Sequence, residues 1–143
     1  MKEIANFIKE GRITLLSGQM GIGVEIFYQN LLVNQFIDKK VLILNNSMKK
    51  DTLIRSLNRI LYADKERHNN FNNFIVEDYV LDIDDAINII RKKKDEVQLI
   101  IIDKIDNFNV DMKEVLEKLY QISKEIKLPF LLCNDLYMYN LKY

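Results

Sequence analysis

The sequence predicts an α/β fold: a mostly parallel, five-stranded sheet with helices on both faces. Three observations support this prediction. Short apolar runs alternate along the chain with segments of helical periodicity, the pattern of layered α/β proteins. The apolar runs are almost continuously hydrophobic, as expected of parallel strands that are buried on both faces. The 143 residues have the length of one ordinary domain, and no boundary or repeat interrupts them. We therefore expect a single domain spanning 1–143.

Five strands and four main helices follow from this alternation. The predicted strands are 12–17, 40–45, 73–77, 98–103 and 129–134. The predicted helices, each with one apolar stripe to bury, are 24–37, 50–62, 83–94 and 111–126. A short helix at about 2–9 precedes the first strand, because Ile4, Phe7 and Ile8 are spaced to share one face.

Composition and charge exclude several classes of protein. Hydrophobic residues make up 48% and charged residues 29%, a balance typical of a folded domain and not of a disordered tail. Lys plus Arg and Asp plus Glu both number 21, so no global positive field favours non-specific binding to nucleic acid. The apolar runs are far shorter than the roughly 20 residues of a membrane-spanning helix. No signal segment opens the chain and Cys133 is its single cysteine, so we expect a cytoplasmic location.

A glycine-rich loop joins the first predicted strand to the first long helix. All four glycines of the chain precede Val24, and three of them, Gly18, Gly21 and Gly23, lie in the stretch "GQMGIGVEI". Clustering of this kind indicates a backbone that turns where a Cβ atom would clash. A strand leads into the loop and a helix leads out of it, as in a phosphate-binding loop with the pattern G-x-x-x-x-G-K-[ST].

The two residues after the last glycine do not fit a working nucleotide site. Val24 occupies the position of the lysine that contacts the β- and γ-phosphates, and Glu25 that of the hydroxyl residue that holds Mg²⁺. Glu25 also puts a carboxylate at a helix N-terminus, where it can take the place of the absent phosphate. A glycine turn that only joins strand to helix is the structural alternative.

The whole chain resembles the ATPase domain of the DnaB-type replicative helicases, which belong to the RecA-like group of P-loop proteins. "EGRITLLSGQMGIGVEIFYQNLLVNQ" is similar to the family's first strand, loop and helix, and "KVLILNNSMKKDTLIRSLNRIL" to its next strand and helix. "VQLIIIDKIDNF" resembles its Walker B strand, and "LEKLYQISKEIKLPFLLCNDL" its final helix and sensor strand. The likeness covers about 11–136 in order and spacing, and it implies a single RecA-like P-loop domain.

The resemblance also implies where the catalytic residues belong. Ser47 stands at the position of the family's water-activating glutamate, and Asp135 at that of its sensor glutamine. Asp103 retains the Walker B aspartate and, with the three loop glycines, would form a vestigial site for phosphate and Mg²⁺; capping of the following turn is the structural alternative for Asp103. Because phosphoryl transfer depends on placed cations and an oriented nucleophile, we expect no catalytic residue and no cofactor, with weak ATP and Mg²⁺ binding left open.

These features predict a catalytically inactive pseudo-ATPase that acts by binding a protein. Only "YMYNLKY" follows Leu136, where the family continues with DNA-contacting loops and an arginine finger, so we expect no translocating motor. The Ile-, Lys- and Asn-rich composition indicates an AT-rich source, such as a low-GC bacterium or one of its phages or mobile elements. The expected partner is a helicase, a helicase loader or a host defence complex, and the expected state is a monomer or small homo-oligomer.

Two other functions remain open. A nucleotide-binding ATPase with an unorthodox site would need a replacement cation, for which Lys49, Lys50 and Lys104 are candidates. A nucleic-acid adaptor would use the basic run "RKKK" at 91–94, although cations at a helix end also complement the helix dipole. His68 is the only histidine, so we expect no metal site.

Overall fold

The computed structural model describes residues 2–8, 12–19, 23–62 and 68–136. Five strands are present: β1 (Ile13–Gln19), β2 (Val41–Asn45), β3 (Phe74–Asp78), β4 (Leu99–Asp103) and β5 (Phe130–Leu136). The helices are α1 (Lys2–Phe7), α2 (Val24–Gln35), α3 (Lys50–Leu61), α4 (Ile83–Lys93) and α5 (Met112–Ile126). A single turn of 3₁₀-helix, Ile105–Asn107, follows β4. The strands form one parallel sheet in the order β1-β5-β4-β2-β3, which confirms the predicted fold class.

All predicted strands and long helices are present, and their ends agree within about two residues, the usual uncertainty of such boundaries. The predicted N-terminal helix corresponds to α1, and residue 9 lies outside the described residues. The first strand extends beyond its predicted end to Gln19, so Gly18 lies inside β1 and not in the loop. The 3₁₀ turn was not predicted, because its three residues carry no periodicity.

Local capping explains where α4 and α5 begin. The carboxylate of Asp82 accepts hydrogen bonds from the backbone N–H groups of Asp84 and Asp85, at 2.8 and 3.1 Å. Asp111 accepts one from the N–H of Glu114, at 2.9 Å. Side-chain oxygens at these positions satisfy N–H groups that have no partner within the helix, so both helices start at an aspartate.

Two hydrophobic layers enclose the sheet. On one face, α2 and α3 contribute a layer that includes Tyr28, Leu32 and Leu57; on the other, α4 and α5 contribute a layer that includes Ile90 and Leu119. All residues of β2 and β4 are buried, as predicted for strands covered on both sides. The prediction was wrong for β1, an edge strand in which several positions are exposed. No helix in the described parts of the chain is long and apolar enough to cross a membrane.

Candidate functional site

The candidate site lies at the carboxyl edge of the sheet, where ligands bind in open α/β folds. Asn45 at the end of β2 is paired in register with Asp78 of β3 on one side and Asp103 of β4 on the other. Gly18 of β1 is paired with Asp135 of β5. Parallel pairing therefore brings polar residues from all five strands to one edge, although they are far apart in the sequence.

The structure describes two of the three predicted loop glycines. Gly23 has φ 90° and ψ 32°, a left-handed conformation that favours glycine, and its carbonyl accepts the first helical hydrogen bond of α2 from the N–H of Phe27, at 2.9 Å. Gly18 is extended and belongs to β1. Gly21 lies outside the described residues. The turn from loop into helix therefore requires a glycine at position 23, which holds with or without a ligand.

Asp103 is enclosed by the protein's own hydroxyl groups. Its side chain is 1% exposed. The hydroxyl of Tyr28, on α2, donates a hydrogen bond to Asp103 Oδ2 at 3.2 Å, and the hydroxyl of Ser47, just after β2, donates to the same oxygen. The resemblance puts a metal-binding aspartate at position 103 and a water-activating glutamate at position 47. In this structure the two residues bind each other.

Burial and neighbouring negative charges raise the pKa values of three groups in the site. The pKa of Asp103 is raised to about 6, chiefly by burial; the charge of Glu25 contributes to the rise, while the Ser47 and Tyr28 hydroxyls and the charge of Lys104 oppose it. Burial and the charge of Asp103 raise the pKa of the Tyr28 phenol well above its usual value. The same two causes raise the pKa of the buried Cys133 thiol, with Glu25 contributing again. Glu25, Asp103 and Cys133 therefore share one electrostatic environment beside the first turn of α2.

Lys104 lies next to this cluster and is turned toward another carboxylate. It has a left-handed backbone with φ 54°, and its Nζ lies 3.5 Å from Asp135 Oδ2. Asp135 is thus compensated within the fold at the position of the family's sensor glutamine. Lys49 and Lys50 are exposed at the start of α3, and neither forms a salt bridge with a described residue.

Several polar residues of this edge were missed by the sequence analysis. Tyr28 was predicted only as part of an apolar stripe, and its hydroxyl gave no local signal of a partner in β4. Asn45 and Asn46 are buried, and the Oδ1 atoms of both have no hydrogen-bond partner among the described residues. The sequence did offer a signal for these two residues, which is a pair of asparagines at the end of an apolar strand. Buried amides normally need hydrogen-bond partners, so such a pair indicates a polar site.

The other candidate sites are weaker. Within the basic run 91–94, Arg91 forms a salt bridge with Glu125 at 3.0 Å and Lys93 one with Glu96 at 3.4 Å. Half of that positive charge is therefore compensated locally. Across the described ranges, no group of three or more His, Cys, Asp or Glu side chains is placed to hold a metal ion.

The fold is similar to those of two solved structures. A DnaB-like replicative helicase, solved with attention to its interactions with primase, has a TM-score of 0.68 and 12% identity over 90% of this chain. A KaiC-like protein from the hyperthermophilic archaeon Pyrococcus horikoshii OT3 has a TM-score of 0.68 and 20% identity over 89% of this chain. This chain spans 40% of the length of the first and 62% of the second. The sequence matches no protein-family model and no curated protein. The likeness is one of fold, and at that level it confirms the predicted RecA-like, DnaB-like architecture.

Proposed function

We propose that this domain is a pseudo-ATPase: a RecA-like P-loop domain that neither binds nor hydrolyses ATP and acts by binding another protein. The observation that carries the proposal is the enclosure of Asp103 by the hydroxyls of Ser47 and Tyr28, beside the charge of Glu25. An ATPase site of this type needs a phosphate-binding lysine and a Mg²⁺-binding hydroxyl beside its aspartate. Here Val24 and Glu25 occupy those two positions, and Lys104 forms a salt bridge with Asp135.

Protein binding is supported by the exposed apolar side chains of the N-terminal half of the chain. Phe7 on α1 is 63% exposed, Leu15 on β1 49% and Ile26 on α2 62%. β1 is also an edge strand, and such strands accept a further strand from a partner. We propose that the partner is cytoplasmic and is a helicase, a helicase loader or a host defence complex. The domain would bind this partner on behalf of a phage or mobile element.

The first test is calorimetry with ATP and with ADP, in the presence of Mg²⁺. Three proteins are compared: the wild type, Glu25→Gln, and the double variant Val24→Lys with Glu25→Thr. We expect no binding by the wild type, because it lacks both the phosphate-binding lysine and the Mg²⁺-binding hydroxyl. We also expect none by Glu25→Gln, because this variant removes the negative charge but restores no lysine. We expect the double variant to bind, because it regains the phosphate lysine and the Mg²⁺ hydroxyl.

Saturable binding by the wild type would overturn the pseudo-ATPase proposal. It would favour the alternative of an ATPase with an unorthodox site, and Asp103→Ala would then have to abolish the binding. The protein-binding part is tested separately, by adding the domain to a purified DnaB-type helicase and measuring co-elution and the rate of ATP hydrolysis by that helicase. No complex and an unchanged rate would remove the helicase as the partner.

A further inference from the structure

A polar cavity lies along α3. Its volume is about 410 Å³. The first turns of α3 form one wall, and residues of the segment between α3 and β3 form the other. Its lining includes the cationic side chains of Lys50 and Arg55, the imidazole of His68 and the amides of Asn70 and Asn72.

The positive charge of this cavity is not compensated within the described part of the chain. Lys50 and Arg55 form no salt bridge there, unlike Arg91 and Lys93 of the basic run. The lining contains one acidic residue, Asp51. At the N-terminus of α3 the Lys50 N–H already donates to Asp78 Oδ2, at 3.0 Å, so an anion in the cavity would be held by side chains and not by the helix terminus.

The wall opposite α3 is built rigidly onto that helix. The side-chain amide of Asn58 donates to the Asn69 carbonyl at 2.9 Å, and the Asn69 N–H donates back to Asn58 Oδ1 at 2.8 Å. The N–H of Phe71 donates to Asn69 Oδ1 at 2.6 Å, and the buried Phe71 ring stacks on Phe74 with centroids 5.6 Å apart. These contacts fix the positions of the residues on either side of Asn69.

Within that wall, His68 and Asn70 are oriented by each other. His68 Nε2 lies 2.8 Å from Asn70 Oδ1, so the ring N–H donates to the amide oxygen. This bond directs the Asn70 Nδ2 group, a donor, away from the ring. The cavity therefore combines two long cationic side chains from a helix with amide donors from a loop, and its lining includes no Phe, Tyr or Trp side chain.

We propose that this cavity binds a phosphate group through Lys50 and Arg55, with the Asn70 amide, oriented by His68, completing the site. A planar guanidinium and an ammonium bind phosphate oxygens by charge-assisted hydrogen bonds, and amide N–H groups add neutral ones. The phosphate is carried either by a small phosphomonoester or by the backbone of a single-stranded nucleic acid. The described lining of the cavity shares no residue with the cluster around Asp103, so the phosphate site is tested independently of the proposed function.

The test is a titration of the wild-type protein with inorganic phosphate, and in parallel with an unstructured thymine oligonucleotide of about ten nucleotides. Backbone amide NMR shifts identify where each probe binds. The test variant is Lys50→Gln with Arg55→Gln. The matched control is Lys92→Gln with Lys94→Gln, which removes the same charge from the end of α4. All four side chains are exposed, so the fold is preserved in both variants.

We expect each probe to shift the amide NMR signals of α3 and of residues 68–72. The test variant should bind each probe about tenfold or more weakly, because the loss of one charge-assisted hydrogen bond lowers affinity by more than about tenfold. The control variant keeps wild-type affinity. For the oligonucleotide, the slope of log affinity against log salt concentration should be smaller in magnitude in the test variant than in the wild type. The difference should be about 1.4, because two phosphate contacts are lost and each contributes about 0.7 on a single strand.

The two probes distinguish the sources of the phosphate. Tighter binding of the oligonucleotide than of inorganic phosphate identifies a nucleic-acid backbone, and the reverse identifies a phosphomonoester. The proposal is overturned if neither probe binds saturably at low salt. It is also overturned if the control variant loses as much affinity as the test variant, because the binding would then come from diffuse charge.

Discussion

The hydroxyl of Tyr28 lies 3.2 Å from Asp103 Oδ2 and donates a hydrogen bond to it, although the two residues are 75 positions apart in the sequence. The bond ties the helix after the glycine loop to the strand that carries the surviving aspartate. The bond favours the charged form of the buried Asp103 carboxyl, as do the Ser47 hydroxyl and the charge of Lys104, and so opposes the rise in its pKa that burial causes. Four predictions follow from this arrangement and from its neighbours.

Asp103→Asn is expected to stabilise the protein at neutral pH. The pKa of Asp103 is about 6 in the folded state, against an ordinary aspartate value of 3.8 in the unfolded chain, so folding favours the protonated form. The free energy of unfolding of the wild type therefore falls as pH rises from about 4 to about 6, by up to about 3 kcal/mol, and is level above that range. Asparagine does not titrate, so the variant lacks this decline. The measurement is denaturant unfolding at several pH values; identical pH profiles for the two proteins would contradict the prediction.

Tyr28→Phe is expected to reduce the free energy of unfolding by about 1–2 kcal/mol, because a buried carboxylate loses one of its two donors while the packing of the ring is kept. The pKa of Asp103 should rise further, since that donor favours the carboxylate. Carbon-detected NMR titration of the Asp103 carboxyl group measures the shift. Tyr120→Phe is the control, because Tyr120 is 53% exposed. A cost no larger than that of the control would show that the hydrogen bond contributes nothing.

Gly23→Ala is expected to cost about 1–2 kcal/mol of stability, because alanine in a left-handed conformation is strained by roughly that amount. The space around Gly23 permits a methyl group, because a Cβ atom at this position would lie 3.9 Å from its nearest neighbour, the Ile26 Cβ. The cost is therefore one of backbone conformation alone. Thermal and denaturant unfolding measure it, with Thr52→Ala on the exposed face of α3 as the control. Equal stability of Gly23→Ala and the wild type would mean that this turn does not need glycine.

Cys133 is expected to resist alkylation in the native protein. Its side chain is 1% exposed, and burial together with the charge of Asp103 raises the pKa of the thiol, so little reactive thiolate forms. The reaction with iodoacetamide, followed by mass spectrometry, should be slow and should accelerate with denaturant as the fold opens. Because the chain has one cysteine, the modification reports this position only. Rapid alkylation without denaturant would place the thiol in contact with solvent.

The fold was largely predictable because its signals are local. Uninterrupted apolar runs at β2 and β4 indicate strands covered on both faces, and all their residues are buried. Gly23 precedes α2 with a left-handed backbone, at φ 90°, as the clustering of glycines predicted. The resemblance to the DnaB-type domain added the RecA-like type of fold, and the fold comparison agrees with it.

The site was predictable only in part. The sequence gives the identities of Val24, Glu25 and Asp103, and with them the missing lysine and hydroxyl. It does not indicate that Lys104 adopts a left-handed backbone and turns to Asp135, or that half of the basic run is compensated. Such contacts depend on strand register and on helix packing, which bring together residues that have no relation in the sequence.

By itself, then, the sequence determined the α/β class, the number and order of the strands and long helices, and the presence of Val24 and Glu25 after the last glycine, because periodicity and residue identity are local properties. Only the tertiary structure decided which strands form the edges, which hydroxyls enclose Asp103, and which cations remain uncompensated. The physical reason is that burial, pKa and charge balance depend on what packs against a group, and packing is settled when distant segments meet.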